Sequence, residues 1–356
     1  MNFVFRVDSS IEIGHGHLMR CLVLAQELKL HGASIHFVCR DNSGSAHGLI
    51  AEAGYSLYLL DGKRITVKSM RHVDWLGCTQ VEDAKDFNRI LATINKCHVI
   101  VDHYALDIEW ESRIICESLS VIDDLADRPH KCCRLIDQSL VRTKEDYSSL
   151  VLGDFRFFGG ASILLRREFR EAECWSDSCN KSIMLCMGGA DPLGVTIRIT
   201  KALVEWLNRS PKQELVKRLD VVVGQAFDAQ EDLDRSLADL ACDIVLHRGS
   251  RDVSTLMTNA DLCILSCGTM ILEACALGVP AIGVALAENQ KDTASFLAER
   301  KAIVLLDIEK IKGALGLHVE RLLQGRDNLS VLSQSAKNMV DKNSTYSIAR
   351  VLIDEC

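Results

Sequence analysis

Short runs rich in β-branched and apolar residues alternate with segments of helical period almost from one end of this chain to the other. That alternation belongs to parallel sheets whose helical crossovers cover both faces, so the predicted class is α/β. The first series of predicted strands is Asn2–Val7, Ser34–Cys39, Tyr55–Leu60, His98–Asp102, Ser120–Asp123 and Arg134–Asp137. A helix beginning near His15 presents Leu18, Cys21, Leu22, Ala25 and Leu28 on one face, and Gly32 ends it. The second series is Ser182–Met187, Leu219–Val223, Asp243–Leu246, Leu262–Leu265, Ala281–Val284 and Ile303–Leu306. Two similar units follow, and 356 residues at 48% hydrophobic content supply two cores. The expected division is a domain at 1–165, a polar linker at 166–181, a second domain at 182–327, and closing helices at 328–356 that pack back across the domains.

Charge and cysteine content exclude several function classes. Acidic residues number 49 against 41 basic ones, a net charge of −8, which disfavours a nucleic-acid or anionic-membrane surface. The most apolar stretch, 274–287, is too short and too broken by Gly278, Pro280 and Gly283 to span a bilayer. The first residues lack the pattern of a signal peptide, so a cytoplasmic protein is expected. The 15 cysteines are odd in number and irregularly spaced, without a C-x-x-C pair. Cys21, Cys39, Cys186, Cys263 and Cys275 read as reduced core residues. Neither Cys132-Cys133 nor the Cys263/Cys267 spacing suits a closed zinc site, and no metal or cofactor is expected.

In open parallel sheets ligands bind beyond the carboxyl ends of the strands, so the loops that follow strands are the candidate sites. The first, residues 8–17, holds Gly14, Gly16 and His17 ahead of a helix start, where free N–H groups and the helix dipole favour an anion. It reads equally as a Gly-rich turn with solvated histidines. Met19 stands where a dinucleotide fingerprint has its third glycine, which disfavours a nicotinamide enzyme. Gly188 and Gly189 follow a later strand, and Gly268-Thr269 open a helix with Glu273 about one turn on. Glu273 is either a sugar-hydroxyl acceptor or an ordinary helix acid. Ala287-Glu288-Asn289-Gln290 is a polar cluster at the next strand end. Asp123 and Asp124 point apart if their strand continues, so at least one is expected to serve loop structure. No G-x-S-x-G elbow or Walker A motif occurs.

Taken in order, Arg6-Val-Asp8, Gly14-His-Gly16-His17-Leu-Met-Arg20-Cys21, Asp102-His103-Tyr104, residues 122–129, Met187-Gly-Gly-Ala-Asp191, Cys267-Gly268-Thr269 with Glu273 to Gly278, and Ala287 to Gln290 resemble the PseG family. These are the UDP-sugar hydrolases of bacterial pseudaminic acid biosynthesis. The resemblance covers nearly 300 residues and implies a GT-B architecture, two Rossmann-like domains whose parallel sheets face a cleft, related to the MurG-type transferases. It implies metal-independent, inverting attack of water on UDP-2,4-diacetamido-2,4,6-trideoxy-β-L-altrose. His17 matches the family's catalytic histidine, and Tyr104 and Asn289 match positions that face the sugar. An imidazole, with an ordinary pKa of about 6.5, takes a proton from water at neutral pH and as a general base contributes about 10²–10⁴-fold. In the same reading Gly268 and Thr269 hold the diphosphate, Glu273 the ribose, Gly188 and Gly189 line the nucleotide, and Gln290 joins the substrate-binding set together with Gly14 and Gly16. The partner is then a small UDP-sugar, and a monomer is expected.

Two departures bear on the sugar pocket. His15 stands between the glycines where the family often has a small residue, and residues 154–160 and Leu164-Leu165-Arg166 match only loosely. A MurG-type inverting transferase and a non-catalytic nucleotide-sugar binder are the competing readings.

Overall fold

The computed structural model describes residues 1–62, 73–188, 191, 193–209, 213–225, 227–238, 242–250 and 252–355. The chain forms two compact units, one of 1–165 with 343–356 and the other of 166–342.

The first unit holds strands β1 (Asn2–Val7), β2 (Ser34–Arg40), β3 (Ser56–Leu60), β4 (Cys97–Asp102), β5 (Ser118–Ile122), β6 (Arg134–Ile136) and β7 (Arg156–Phe158). They form one parallel sheet in the order β3-β2-β1-β4-β5-β6-β7. Its helices are α1 (Gly16–Leu30), α2 (Gly48–Glu52), α3 (Gln80–Leu91) and α4 (Ile108–Glu111). Alternate strand residues face opposite sides: Val4, Val99 and Val101 join one apolar cluster, and Phe3, Phe5 and Ile100 join the other. Six strands correspond to the predicted runs, and β7 is the addition. It has only three residues, too few to announce a period of two.

The second unit holds β8 (Ser182–Cys186), β9 (Arg218–Val223), β10 (Asp243–Arg248), β11 (Leu262–Ser266), β12 (Ala281–Val284) and β13 (Val304–Leu305), parallel in the order β10-β9-β8-β11-β12-β13. Its helices are α5 (Arg167–Glu171), α6 (Val195–Arg209), α7 (Gln230–Leu237), α8 (Val253–Asn259), α9 (Thr269–Leu277), α10 (Glu288–Glu299), α11 (Ile311–Gln324) and α12 (Arg326–Lys337). A final helix, α13 (Ser344–Asp354), returns to the first unit.

Two expected boundaries shift. Residues 166–181 pack as part of the second unit and are not a free linker: Phe169 and Trp175 are buried, and the Trp175 indole donates to the carbonyl of Ala260 at 2.8 Å. Of the closing segment 328–356, α12 stays with the second unit and only α13 crosses, covering the apolar stripe of α1. That stripe is buried at Leu18, Cys21, Ala25 and Leu28, while Leu22 is half-buried. The side chain of Arg134 closes on Glu355 at 3.2 Å, and Thr345 accepts from the backbone N–H of Leu165 at 2.8 Å, so α13 is tied to the sheet.

Among the described residues no helix is long and apolar enough to cross a membrane. No grouping of three metal-binding side chains is found among them either.

Candidate active site

Strand order places the chemistry. In the first sheet β1 lies between β2 and β4, and its crossovers leave on opposite sides, so the carboxyl ends of β1 and β4 form a topological switch point. Register pairs Val7 with Asp102 there. Beneath this point is a buried charge network. Arg6, fully buried, binds Asp8 at 2.6 and 2.9 Å and Asp83 at 2.8 and 3.0 Å. Arg40 also binds Asp83, at 2.7 Å, and the backbone N–H of Arg40 donates to Asp8 at 2.7 Å. Burial works against both carboxylates, yet the facing guanidinium of Arg6 holds Asp8 and Asp83 below their ordinary pKa. Such a network resists deformation because removing any one member strands a buried charge. It anchors the end of β1 from which the glycine loop departs.

That loop turns at Gly14, whose φ of +76° is the left-handed conformation that glycine adopts without cost, and whose N–H donates to the carbonyl of Ser10 at 2.9 Å. Gly16 opens α1 with no atom within 4 Å of the place a Cβ would occupy. His15, the unusual residue between them, reaches sideways, its Nε2 3.2 Å from the carbonyl of Gly44. His17 lies in the first turn of α1 and is buried, with its side chain 10% exposed.

The His17 imidazole is oriented by a carboxylate. Its Nδ1 lies 2.7 Å from Oδ1 of Asp102, a residue with no exposed surface at the end of β4. The same carboxylate takes two bonds from Arg20, Nε to Oδ2 at 2.6 Å and Nη2 to Oδ1 at 2.7 Å. Burial pushes the Asp102 carboxyl up, but Arg20 and His17 overcome it and hold the group well below the carboxylate range. Asp102 is thus an anion that can only accept, which favours a proton on Nδ1 of His17, although the same nitrogen also lies 3.2 Å from Nη2 of Arg20, a group that can only donate. Nε2 makes no hydrogen bond among the described residues.

Tyr104 is buried, with its ring edge-on to the imidazole at 4.5 Å between centroids, and its hydroxyl donates to Asp124 at 2.5 Å. Asp124 also binds Arg20 at 2.8 Å. Burial and the neighbouring Asp124 push the Tyr104 phenol well above its usual pKa. Trp75 completes the cluster, stacked on Tyr104 at 5.8 Å and edge-on to His17 at 6.1 Å. Asp123 and Asp124 do diverge: Asp123 accepts from the backbone N–H of Ala126 at 2.9 Å and binds Arg128, serving the loop.

The second unit has its own switch point, between β8 and β11. Gly188 follows β8 with φ +102°, and a Cβ there would sit 3.9 Å from the hydroxyl of Ser266 at the end of β11. Gly189 lies outside the described residues. Gly268 is the N-cap of α9, which has no side-chain cap and no acid in its first turn, and Thr269 is exposed. Among the described residues no side chain caps these first-turn N–H groups, an arrangement suited to an anion. Gln290 sits beside them: its Oε1 accepts from the N–H of Leu286 at 2.9 Å, and its Nε2 would lie 3.5 Å from a Cβ on Gly268. Asn289 is exposed on the first turn of α10 and belongs to the second unit, and His17 and Tyr104 belong to the first.

Glu273 is not an open acceptor. It is 3% exposed, and Arg166 binds both its oxygens, at 2.7 and 2.9 Å. Burial pushes its carboxyl up although Arg166 pulls the other way.

Sequence reasoning named Asp102, Arg20 and Asp124 only inside matching motifs and Arg166 only in a loosely matching segment, gave none of them a site role, and passed over Trp75. One signal was present for Arg20, which falls three residues after His17 and so on the same helix face.

No protein-family model matches the chain. It is 26% identical over 305 residues to the UDP-2,4-diacetamido-2,4,6-trideoxy-β-L-altropyranose hydrolase of Campylobacter jejuni, covering 84% of this chain and 97% of that one. Among solved structures it is similar to MurG of Acinetobacter baumannii, with TM-score 0.68 and 15% identity over 100% of both chains. It is also similar to the spinosyn rhamnosyltransferase SpnG complexed with thymidine diphosphate, with TM-score 0.65 and 14% identity over 100% of both chains. With its two parallel sheets of seven and six strands, the chain has the GT-B glycosyltransferase fold and distant similarity to a UDP-sugar hydrolase.

Proposed function

We propose that the protein hydrolyses a UDP-sugar, UDP-2,4-diacetamido-2,4,6-trideoxy-β-L-altrose, to UDP and the free sugar with inversion at the anomeric carbon. The observation that carries this reading is the His17–Asp102 pair at 2.7 Å, which leaves Nε2 unbonded and able to take a proton. In this reading water donates a proton to Nε2 as its oxygen attacks the anomeric carbon, and the C–O bond to the diphosphate breaks with the electron pair leaving on UDP. Asp102 keeps the imidazole in the correct tautomer and stabilises its protonated form. Developing charge on the diphosphate meets the N–H groups at the start of α9 and the amide of Gln290, with Gly188 and Gly189 lining the nucleotide. Asn289 orients the sugar, while Glu273 is taken up by Arg166 and is left out of the ribose contact. The similarity to the Campylobacter hydrolase along 97% of that chain supports the choice of substrate.

Release of UDP from the purified protein and this nucleotide sugar, with neither acceptor nor added metal, tests the proposal. Appearance of UDP only after an alcohol acceptor is supplied favours the transferase that the likeness to MurG suggests. Binding without turnover under every condition favours a nucleotide-sugar binder.

A further inference from the structure

Arg20 takes no part in the proposed proton transfer, yet its guanidinium commits its donors to the groups around His17. Nε and Nη2 clasp the two oxygens of Asp102 at 2.6 and 2.7 Å, Nη1 reaches Oδ2 of Asp124 at 2.8 Å, and Nη2 also lies 3.2 Å from Nδ1 of the imidazole. A planar fork engaged on both sides fixes the Asp102 carboxylate in the orientation that meets His17 at 2.7 Å. The clasp also has an electrostatic consequence. A buried carboxylate beside an imidazole favours imidazolium, and an imidazolium cannot accept a proton from water. Among the described residues the charged groups facing the ring are Asp102 at the end of β4, Arg20 on α1 and Asp124 after β5. Burial keeps the Cys21 thiol, 3.6 Å from Asp102, and the Tyr104 phenol neutral, and Arg128 across the Tyr104 ring is taken up by Asp123 and Asp127. Without Arg20, both Asp102 and Asp124 would act on the ring uncompensated.

Resting on the hydrolase reading, we infer that Arg20 is a positioning residue that aims the Asp102 carboxylate at His17 and offsets its charge, so that the imidazole stays uncharged and able to take the proton of water at neutral pH. Geometry and charge are separable here, because lysine keeps the charge and lacks the fork.

The test uses two readouts, the pH profile of kcat/KM for UDP release and the ¹⁵N NMR titration of the His17 ring, assigned by its absence in His17→Asn. Arg20→Met is expected to move the acid limb of the profile and the ring titration up by about one pH unit, so that the activity lost below the limb exceeds that lost above it about tenfold. Arg20→Lys should hold the limb within about 0.3 unit and lower kcat about 10- to 100-fold at every pH with KM little changed. Adding Asp124→Asn to Arg20→Met restores the balance of charge and should return the limb most of the way to its wild-type position. An unmoved limb in Arg20→Met, an equal move in Arg20→Lys, or no return in the double variant overturns the inference. Should Arg20→Met fail to fold, Arg20→Gln, which still donates to Asp102, is read by the same criteria. Absence of UDP release by the wild type would sink the hydrolase reading alone, since the ring titration needs no turnover.

Discussion

The guanidinium of Arg166 closes on both carboxylate oxygens of Glu273, 107 residues along the chain, while lying over the ring of Phe169 at 4.5 Å. The pair joins α9 to the segment just before α5 and explains why residues 166–181 belong to the second unit.

Arg166→Ala should leave Glu273 buried with no facing cation. Arg166 is 28% exposed, so the cost is discounted from that of a fully buried pair to about 1–3 kcal/mol. Its pH dependence has a definite sign. Glu273 has a raised folded pKa, so its charged form is the one penalised, and the deficit of the variant should grow as pH rises from about 4.5 towards 8. Urea denaturation of both proteins at pH 5 and pH 7.5 checks this, and an equal deficit at both values would contradict it.

His17 and Asp102 should act as one unit. Replacing either by Asn is expected to lower kcat about 10²–10⁴-fold with KM little changed, and the double variant should lose scarcely more than the worse single one. Multiplying losses in steady-state UDP release would show that Asp102 serves the fold alone.

Acid should loosen the first unit at its switch point. Asp8, Asp83, Asp102 and Asp124 all have folded pKa values below their unfolded ones. Each therefore contributes stability that is present above about pH 4 and is lost as pH falls through the folded value. Hydrogen exchange of the β1 and β4 amides should stay slow at pH 5 and accelerate by pH 3. Asp137 runs the other way: burial raises it to about 6, so its contribution is complete below about pH 4 and is lost as pH climbs through 6.

The strands were legible because burial on both faces writes each as an apolar run, and the loops after them were legible because glycines mark the turns. The partners of those loops were not. His17 and Asp102 lie 85 residues apart and meet only because β4 pairs with β1, a crossover that no local period reveals. The ribose role expected of Glu273 came from its place one turn after a helix start, and that spacing gives no hint of an arginine from another element. Likewise, the polar composition of 166–181 resembled a connector, yet Phe169 and Trp175 are enough to bury it.

Gln290 offers the sharpest reading of the helix start. Its amide is fixed by the bond from Leu286, which turns the NH₂ group towards Gly268 and adds a donor to the first-turn N–H groups of α9. Gln290→Glu keeps the shape and the acceptor for Leu286 but brings a carboxylate to the positive end of the helix, where it competes with the diphosphate. UDP affinity measured by calorimetry should fall about 100-fold, roughly 2.7 kcal/mol, and recover little at high salt because the competing charge sits beside the phosphate. Gln290→Ala removes the donor without adding charge and should cost only about tenfold. Equal losses in the two variants would mean that the amide positions the loop at Leu286 and that the anion is held elsewhere.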